Sequence, residues 1–414
     1  MSLPPEASIR SQYDFRPDVL DVILSGRSLI DSSAGLHLRN LEQANRFILS
    51  YGYDFSNPIE KAEVMGNFHE ALNFIRRYFL QPENPSGLRI DIPRKILELT
   101  DIAELFRLAS QSGGAVGLDP QALLLRNWAC SVLKVMHTIA HIDKDLRSPY
   151  FLDIQMQILD RFYKIIHRDG EGNLFLGDKD GQPIRINLVS FEAKPKKARN
   201  SIILKLLHKP ENVAEDIFDR VGIRFITETP LDCLRVVKYI KDQMIIVVPN
   251  IKPSRSRNTL VDLEEFRVQL ASLQDQLARA EITEKEFVDR LQQAAHAPRV
   301  SPDNPHSSEF YHSIQFTCRQ LIKLCNPVYD EIRELKALAK SNPAYWEIMK
   351  VLDRVDMVHL QREVRFFYPY EVQVLDIKSH EENERGRSAH SEYKKAQLQT
   401  ALRRVMGGLV DAAR

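Results

Sequence analysis

Apolar residues in this chain recur at three- and four-residue spacing up to about residue 165, then shift to short alternating runs. That change of period, from helix to strand, limits the fold more than any other feature. NLEQANRFILSYG and PIEKAEVMGNFHEALNFIRRYFLQ both have the spacing of one buried helix face. Asp119-Pro120 is a helix start before QALLLRNWACSVLKVMHTIAHI. Leu123–Ile142 is apolar nearly all round, which predicts the central helix of an all-α domain over residues 1–165. In HRDGEGNLFLGDKDGQPIRINLVSFE, Asp169-Gly170 and Asp180-Gly181 are turn signals between strand-like runs. A β-hairpin or meander is expected at about 164–192. Strands and helices then alternate to about 378, so the fold class expected is α+β, with a mixed-sheet domain over 166–414.

Two helical inserts should interrupt the second domain. Leu263, Phe266, Leu270, Leu273 and Leu277 space a helix–helix seam, and Thr283 with Glu286 forms a capping-box pattern. A helical hairpin is therefore expected at 262–295, followed by a proline-rich loop at 297–308. VYDEIRELKALAKSNPAYWEIMKVLDRV predicts a second insert at 328–355. The last helix should begin near Glu381 and run to about 411.

Composition narrows the partners. The formal net charge of +1 supplies no global attraction to nucleic acid or membrane, so any phosphate site must be a local cluster. No apolar run approaches a membrane span, and the first residues lack the apolar core of a signal peptide, so a cytoplasmic protein is expected. Cys130, Cys233, Cys318 and Cys325 have no C-x-x-C spacing and sit in apolar runs, which predicts buried free thiols.

Several elements point to phosphate chemistry. Lys194, Lys196, Lys197 and Arg199 precede a helix expected to start near Ser201; cations at a helix N-terminus suit a triphosphate, although a solvated loop has the same composition. Asp219 heads a short apolar strand that carries Arg224. Glu371 and Gln373 share a face of a later strand, FYPYEVQVLDI. Carboxylates on neighbouring strands can hold Mg²⁺ over a triphosphate, while turn or capping duty is the alternative for Asp219. Arg255 and Arg257 in PSRSRNT could reach phosphates or lie on a surface loop. Tyr311, Ser313 and Gln315 alternate onto one face of a strand at 309–322, where a tyrosine could stack on a base or simply pack. His390, Tyr393 and Lys394 lie at helical spacing in GRSAHSEYKKAQ. His137 and His141, one turn apart near Asp143 and Asp145, could bind a metal, but no separate His-Asp pair follows them.

Taken in order, these elements resemble the synthetase domain of the RelA/SpoT family, a nucleotidyltransferase that makes guanosine tetra- and pentaphosphate. Lys197 and Ser201-Ile202 match its R-x-K-x-x-x-S-I motif, with Pro195 in the arginine's place. Asp219 to Arg224 matches its metal aspartate and A/G-x-R strand. Phe310–Gln315 resembles G-Y-Q-S-L-H with Gln315 for histidine, and Glu371–Asp376 resembles E-V-Q-I-R-T with Leu375 for arginine. Glu384–Lys394 resembles E-x-G-x-A-A-H-x-x-Y-K. The resemblance spans about 185–400 and covers nothing in 1–165.

The resemblance implies Mg²⁺-dependent pyrophosphoryl transfer from ATP. Asp219 and Glu371 would be catalytic and hold the metal. Lys194, Lys196, Lys197, Ser201, Arg224, Arg255, Arg257, Tyr311, Ser313, Gln315, Gln373, His390 and Lys394 would contact substrates. The acceptor would be a 3′-hydroxyl of a guanine nucleotide or of tRNA. Two alternatives stay open: a nucleotide-binding module without turnover, and a protein that recruits a partner through its helical domain or hairpin insert.

Overall fold

The computed structural model describes residues 38–412 apart from 39, 82, 85, 112–118, 146, 179–183, 195–197, 210–219, 296–311 and 386–389. The fold is mixed α+β with helices at the N-terminal end. The chain divides into two compact units. One gathers residues up to Asp145, Lys197–Ile217 and Ser391–Arg414; the other holds Leu146–Lys196 and Phe218–His390.

In the helical unit, α1 (Leu41–Tyr51), α2 (Pro58–Phe79), α3 (Arg94–Leu97), α4 (Ile102–Ala109) and α5 (Pro120–Asp143) come first. The starts are legible as side-chain caps: Asn40, Asn57, Asp101 and Asp119 each accept from a backbone N–H of the first turn. α5 is the central helix, with Trp128, Val132, Val135 and Ile139 fully buried. Two later helices complete this core, α7 (Arg199–His208) through Ile203, Leu206 and Leu207, and α14 (His390–Ala412) through Ala401, Val405 and Met406. Gly408 permits the close approach of α14 to α5: a Cβ there would meet the Asn127 side chain at 2.9 Å, and Asn127 instead donates to the Gly408 carbonyl at 2.8 Å.

The second unit opens with α6 (Phe151–Tyr163) and the meander β1 (Ile166–Arg168), β2 (Leu174–Gly177) and β3 (Arg185–Leu188), all antiparallel. The five-stranded sheet has the order β4-β5-β8-β7-β6, built from β4 (Ser190–Ala193), β5 (Gly222–Thr227), β6 (Arg257–Asn258), β7 (Ile314–Cys325) and β8 (Glu363–Asp376). β5 and β8 run parallel and every other neighbour pair is antiparallel. α8 (Pro230–Asp242) packs on the apolar face, where Ile223, Phe225, Val372, Val374 and Phe316 meet Phe162 of α6 and Val236 and Ile240 of α8. β5 pairs with β8 only from Gly222 to Thr227, whereas β7 pairs with β8 through Cys325, so the two long strands continue as a ribbon.

Both inserts are helical. α9 (Leu263–Ala278) and α10 (Glu284–Ala294) form the first, with the Thr283–Glu286 capping box in place. α11 (Pro327–Ser341) and α12 (Trp346–Leu352) form the second. The last expected helix is two elements, α13 (Ile377–Arg385) and α14, with 386–389 outside the described residues. All four cysteines are free; Cys233 and Cys318 are buried as expected, but Cys130 is half-buried and Cys325 is exposed. Cys325 is the last residue of β7, on the face opposite the buried Ile322 and Leu324. No helix among the described residues is long and apolar enough to cross a membrane.

Candidate functional site

Alternation gives the five-stranded sheet one apolar and one polar face. Residue by residue, the register sets Glu192 of β4 beside Arg224 of β5, Arg224 beside Gln373 of β8, Gln373 beside Gln315 of β7, and Gln315 beside Arg257 of β6. One polar row therefore crosses all five strands. A second row lies two residues along, where Gly222, Glu371 and Thr317 align.

Hydrogen bonds tie the two rows together. Lys194 Nζ donates to Glu371 Oε2 at 2.8 Å, and Gln315 Nε2 donates to Glu371 Oε1 at 2.5 Å. Arg224 Nε donates to Gln373 Oε1 at 3.1 Å, while its Nη1 lies 3.3 Å from Glu192 Oε2 and 3.4 Å from Glu384 Oε1 of α13. Glu371 is 9% exposed and Gln373 1% exposed, so both carry polar atoms into a nearly dry environment that strengthens these contacts.

Gly222 makes the lysine's path possible. Lys194 N–H donates to the Gly222 carbonyl at 2.8 Å, and the lysine stem lies across the glycine. A Cβ on Gly222 would meet Lys194 Cδ at 2.5 Å, inside any tolerable contact. The bare backbone is thus the channel along which the ammonium reaches Glu371.

The structure brings together Lys194, Arg224, Gln315, Glu371 and Gln373, with Arg257 exposed at the edge of the row. Ser313 is buried just before β7, its N–H donating to Thr259 Oγ1 at 3.0 Å. Arg255 is exposed in a short 3-10 turn. Ser201 is exposed in the first turn of α7, and Lys394 is exposed on α14, both in the helical unit. His390 opens α14. Asp219, Lys196, Lys197 and Tyr311 lie outside the described residues, as do Pro195 and the 297–308 loop. Arg199 of the basic run is engaged within the helical unit: it holds Asp143 at 2.7 Å and also pairs with Glu70.

Sequence reasoning did not single out Glu192 or Thr317. Glu192 could have been found from its parity, since it alternates with Phe191 and Ala193, which pack on the apolar core. Glu384 was named only as the first residue of a motif match; its contact with Arg224 was not foreseen, because a helix after a strand gives no register.

An oxygen donor set suits Mg²⁺, which takes one or two carboxylates and completes its shell with water and phosphate. Glu371 offers such a carboxylate, and an ammonium already stands against it as a cation. The second carboxylate expected, Asp219, is outside the described residues. Among the described residues no group of three or more His, Cys, Asp or Glu side chains is placed to hold a metal by itself. His137 and His141 pack edge to face with ring centroids 4.4 Å apart, and the Tyr51 hydroxyl lies 2.8 Å from His137 Nδ1. Burial, with the neighbouring His141, pushes His137 down to about 4. His137 is half-buried and His141 exposed, so the pair stands at the border of the helical core.

Neither a scan against models of known protein families nor a search of curated proteins finds a match to this chain.

Proposed function

We propose that the second unit is a divergent RelA/SpoT-like nucleotidyltransferase that moves pyrophosphate from ATP to the 3′-hydroxyl of a guanine nucleotide or RNA. The observation that supports this best is the polar sheet face, where Glu371 on β8, parallel to β5, meets the Lys194 ammonium. Glu371 and Asp219 would hold Mg²⁺, which supplies charge neutralisation to the triphosphate when bound.

The side chains have separable duties. The acceptor hydroxyl attacks the β-phosphorus, the bond from that phosphorus to the α-bridging oxygen breaks, and AMP leaves. Glu371 accepts the hydroxyl proton; Gln315 holds one of its oxygens and so fixes the carboxylate plane. Arg224 orients phosphate oxygens from the middle of the row, positioned by Gln373. Lys194, Lys196 and Lys197 neutralise the triphosphate, Arg255 and Arg257 border it, and Tyr311 stacks on the acceptor base. Ser313 completes the substrate contacts of this reading in the second unit.

Charge balance favours a ligand that brings its own cation. Glu192, Glu371 and Glu384 already offset Lys194 and Arg224 on this face. A free triphosphate would gain little net attraction there, and magnesium lowers the charge that it brings. Nucleotide binding without turnover is a second reading. Leu375, where the family carries an arginine, is 1% exposed and supplies no cation.

Incubating the protein with γ-labelled ATP and GDP, GTP or total tRNA tests the reading. Label should pass to one acceptor in the wild type and not in Glu371→Gln. ATP binding without transfer to any of the three would favour the second reading.

A further inference from the structure

The Lys194–Glu371 pair does more than fill space. The ammonium is seated 2.8 Å from Oε2 of the carboxylate, and side-chain exposure falls to 28% for Lys194 and 11% for Glu371. The path is built: β4 delivers the lysine beside Gly222, the missing Cβ leaves room for its stem, and Gln315 takes the other carboxylate oxygen. With both oxygens engaged, a divalent cation arriving alone must break a charge-assisted hydrogen bond in a poorly hydrated setting.

We propose that Lys194 is a displaceable counter-ion that keeps Glu371 closed to divalent metal until a triphosphate arrives. This rests on the reading that Glu371 is a metal ligand. Phosphate oxygens give the ammonium an alternative partner, and moving to them frees Oε2. Metal and nucleotide then enter together, and metal without nucleotide binds poorly. Gly222 is the positioning residue of this device, because any side chain there diverts the lysine. Lys194 thereby sets the order of binding in addition to contributing charge.

Mn²⁺ binding to the full-length protein, read by electron paramagnetic resonance with and without ATP, tests the device. Lys194→Met keeps the stem over Gly222 and removes the charge. It should bind Mn²⁺ alone roughly tenfold or more tighter than the wild type, the scale of one hydrogen bond to a charged group. Gly222→Ala should produce a gain in the same direction while retaining the lysine, which guards against misfolding of one variant. Adding Glu371→Gln to Lys194→Met should erase the gain. If the wild type binds Mn²⁺ with ATP but neither variant gains affinity for Mn²⁺ alone, the counter-ion role is wrong and the nucleotide reading stands. If no form binds Mn²⁺ even with ATP, both fail.

Discussion

Acid should loosen the helical unit through one half-buried imidazole. His137 sits at about 4 against an ordinary 6.5, because burial and the facing His141 disfavour its charged form. Between those two values the unfolded chain takes up a proton that the folded chain refuses. Stability is therefore complete above pH 6.5, falls as pH drops through the window, and levels off below about 4. At 1.36 kcal/mol per pH unit of displacement, the full penalty is about 3 kcal/mol, a large share of a domain's stability. Tyr51 faces the ring from α1 and is itself raised by burial, so it stays a neutral phenol throughout. Asp143, raised by burial and by Glu63, acts in the opposite direction at the acid end. Comparing the wild type with His137→Gln at each pH cancels that contribution, and glutamine can still accept from Tyr51. Urea unfolding followed by Trp128 emission isolates this unit, since Trp128 is fully buried in it while Trp346 is already 53% exposed. The wild type should lose stability between pH 6.5 and 4 and the variant should lose about 3 kcal/mol less. Parallel curves for the two proteins would refute the reasoning.

Three further outcomes follow from the second unit. Arg224→Ala removes the cation shared by Glu192 and Glu384 and one hydrogen bond to the buried Gln373; it should cost about 1–3 kcal/mol in chemical denaturation, with Arg224→Lys recovering only part. Phe225 is fully buried with ring centroids 5.1 Å from Phe191 and 6.1 Å from Phe162, so Phe225→Ala should cost roughly 3–5 kcal/mol in the same assay. A maleimide should label Cys325 first by mass spectrometry, because Cys325 is exposed while burial pushes Cys233 up to about 12.

Helices were legible because their signals are local. Asp119 announces a start, and the Thr283–Glu286 box is written in four residues. The polar row was partly legible. Alternation put Glu371 and Gln373 on one face, and Gln315 on the face of Ser313, from the sequence alone. Which strand lies beside which was not legible. Pairing of β5 with β8 joins residues about 150 apart, and a period of two carries no information on partner or register. The Lys194–Glu371 bond depends on that register and on the missing side chain of Gly222. The exposure of Cys325 was missed for a related reason: an apolar run on a two-stranded ribbon buries one face and leaves Leu321, Cys325 and Phe367 exposed on the other. Arg199 read as a free cation because its partners, Asp143 and Glu70, come from distant helices.

The leaving group tests pyrophosphoryl transfer most directly. With ATP, Mg²⁺ and the acceptor that takes up γ-label, the nucleotide products should be separated and counted. Transfer of the β- and γ-phosphates together predicts one AMP formed for each label transferred, with Glu371→Gln forming neither. ADP in place of AMP, or label released as free phosphate, would contradict the account.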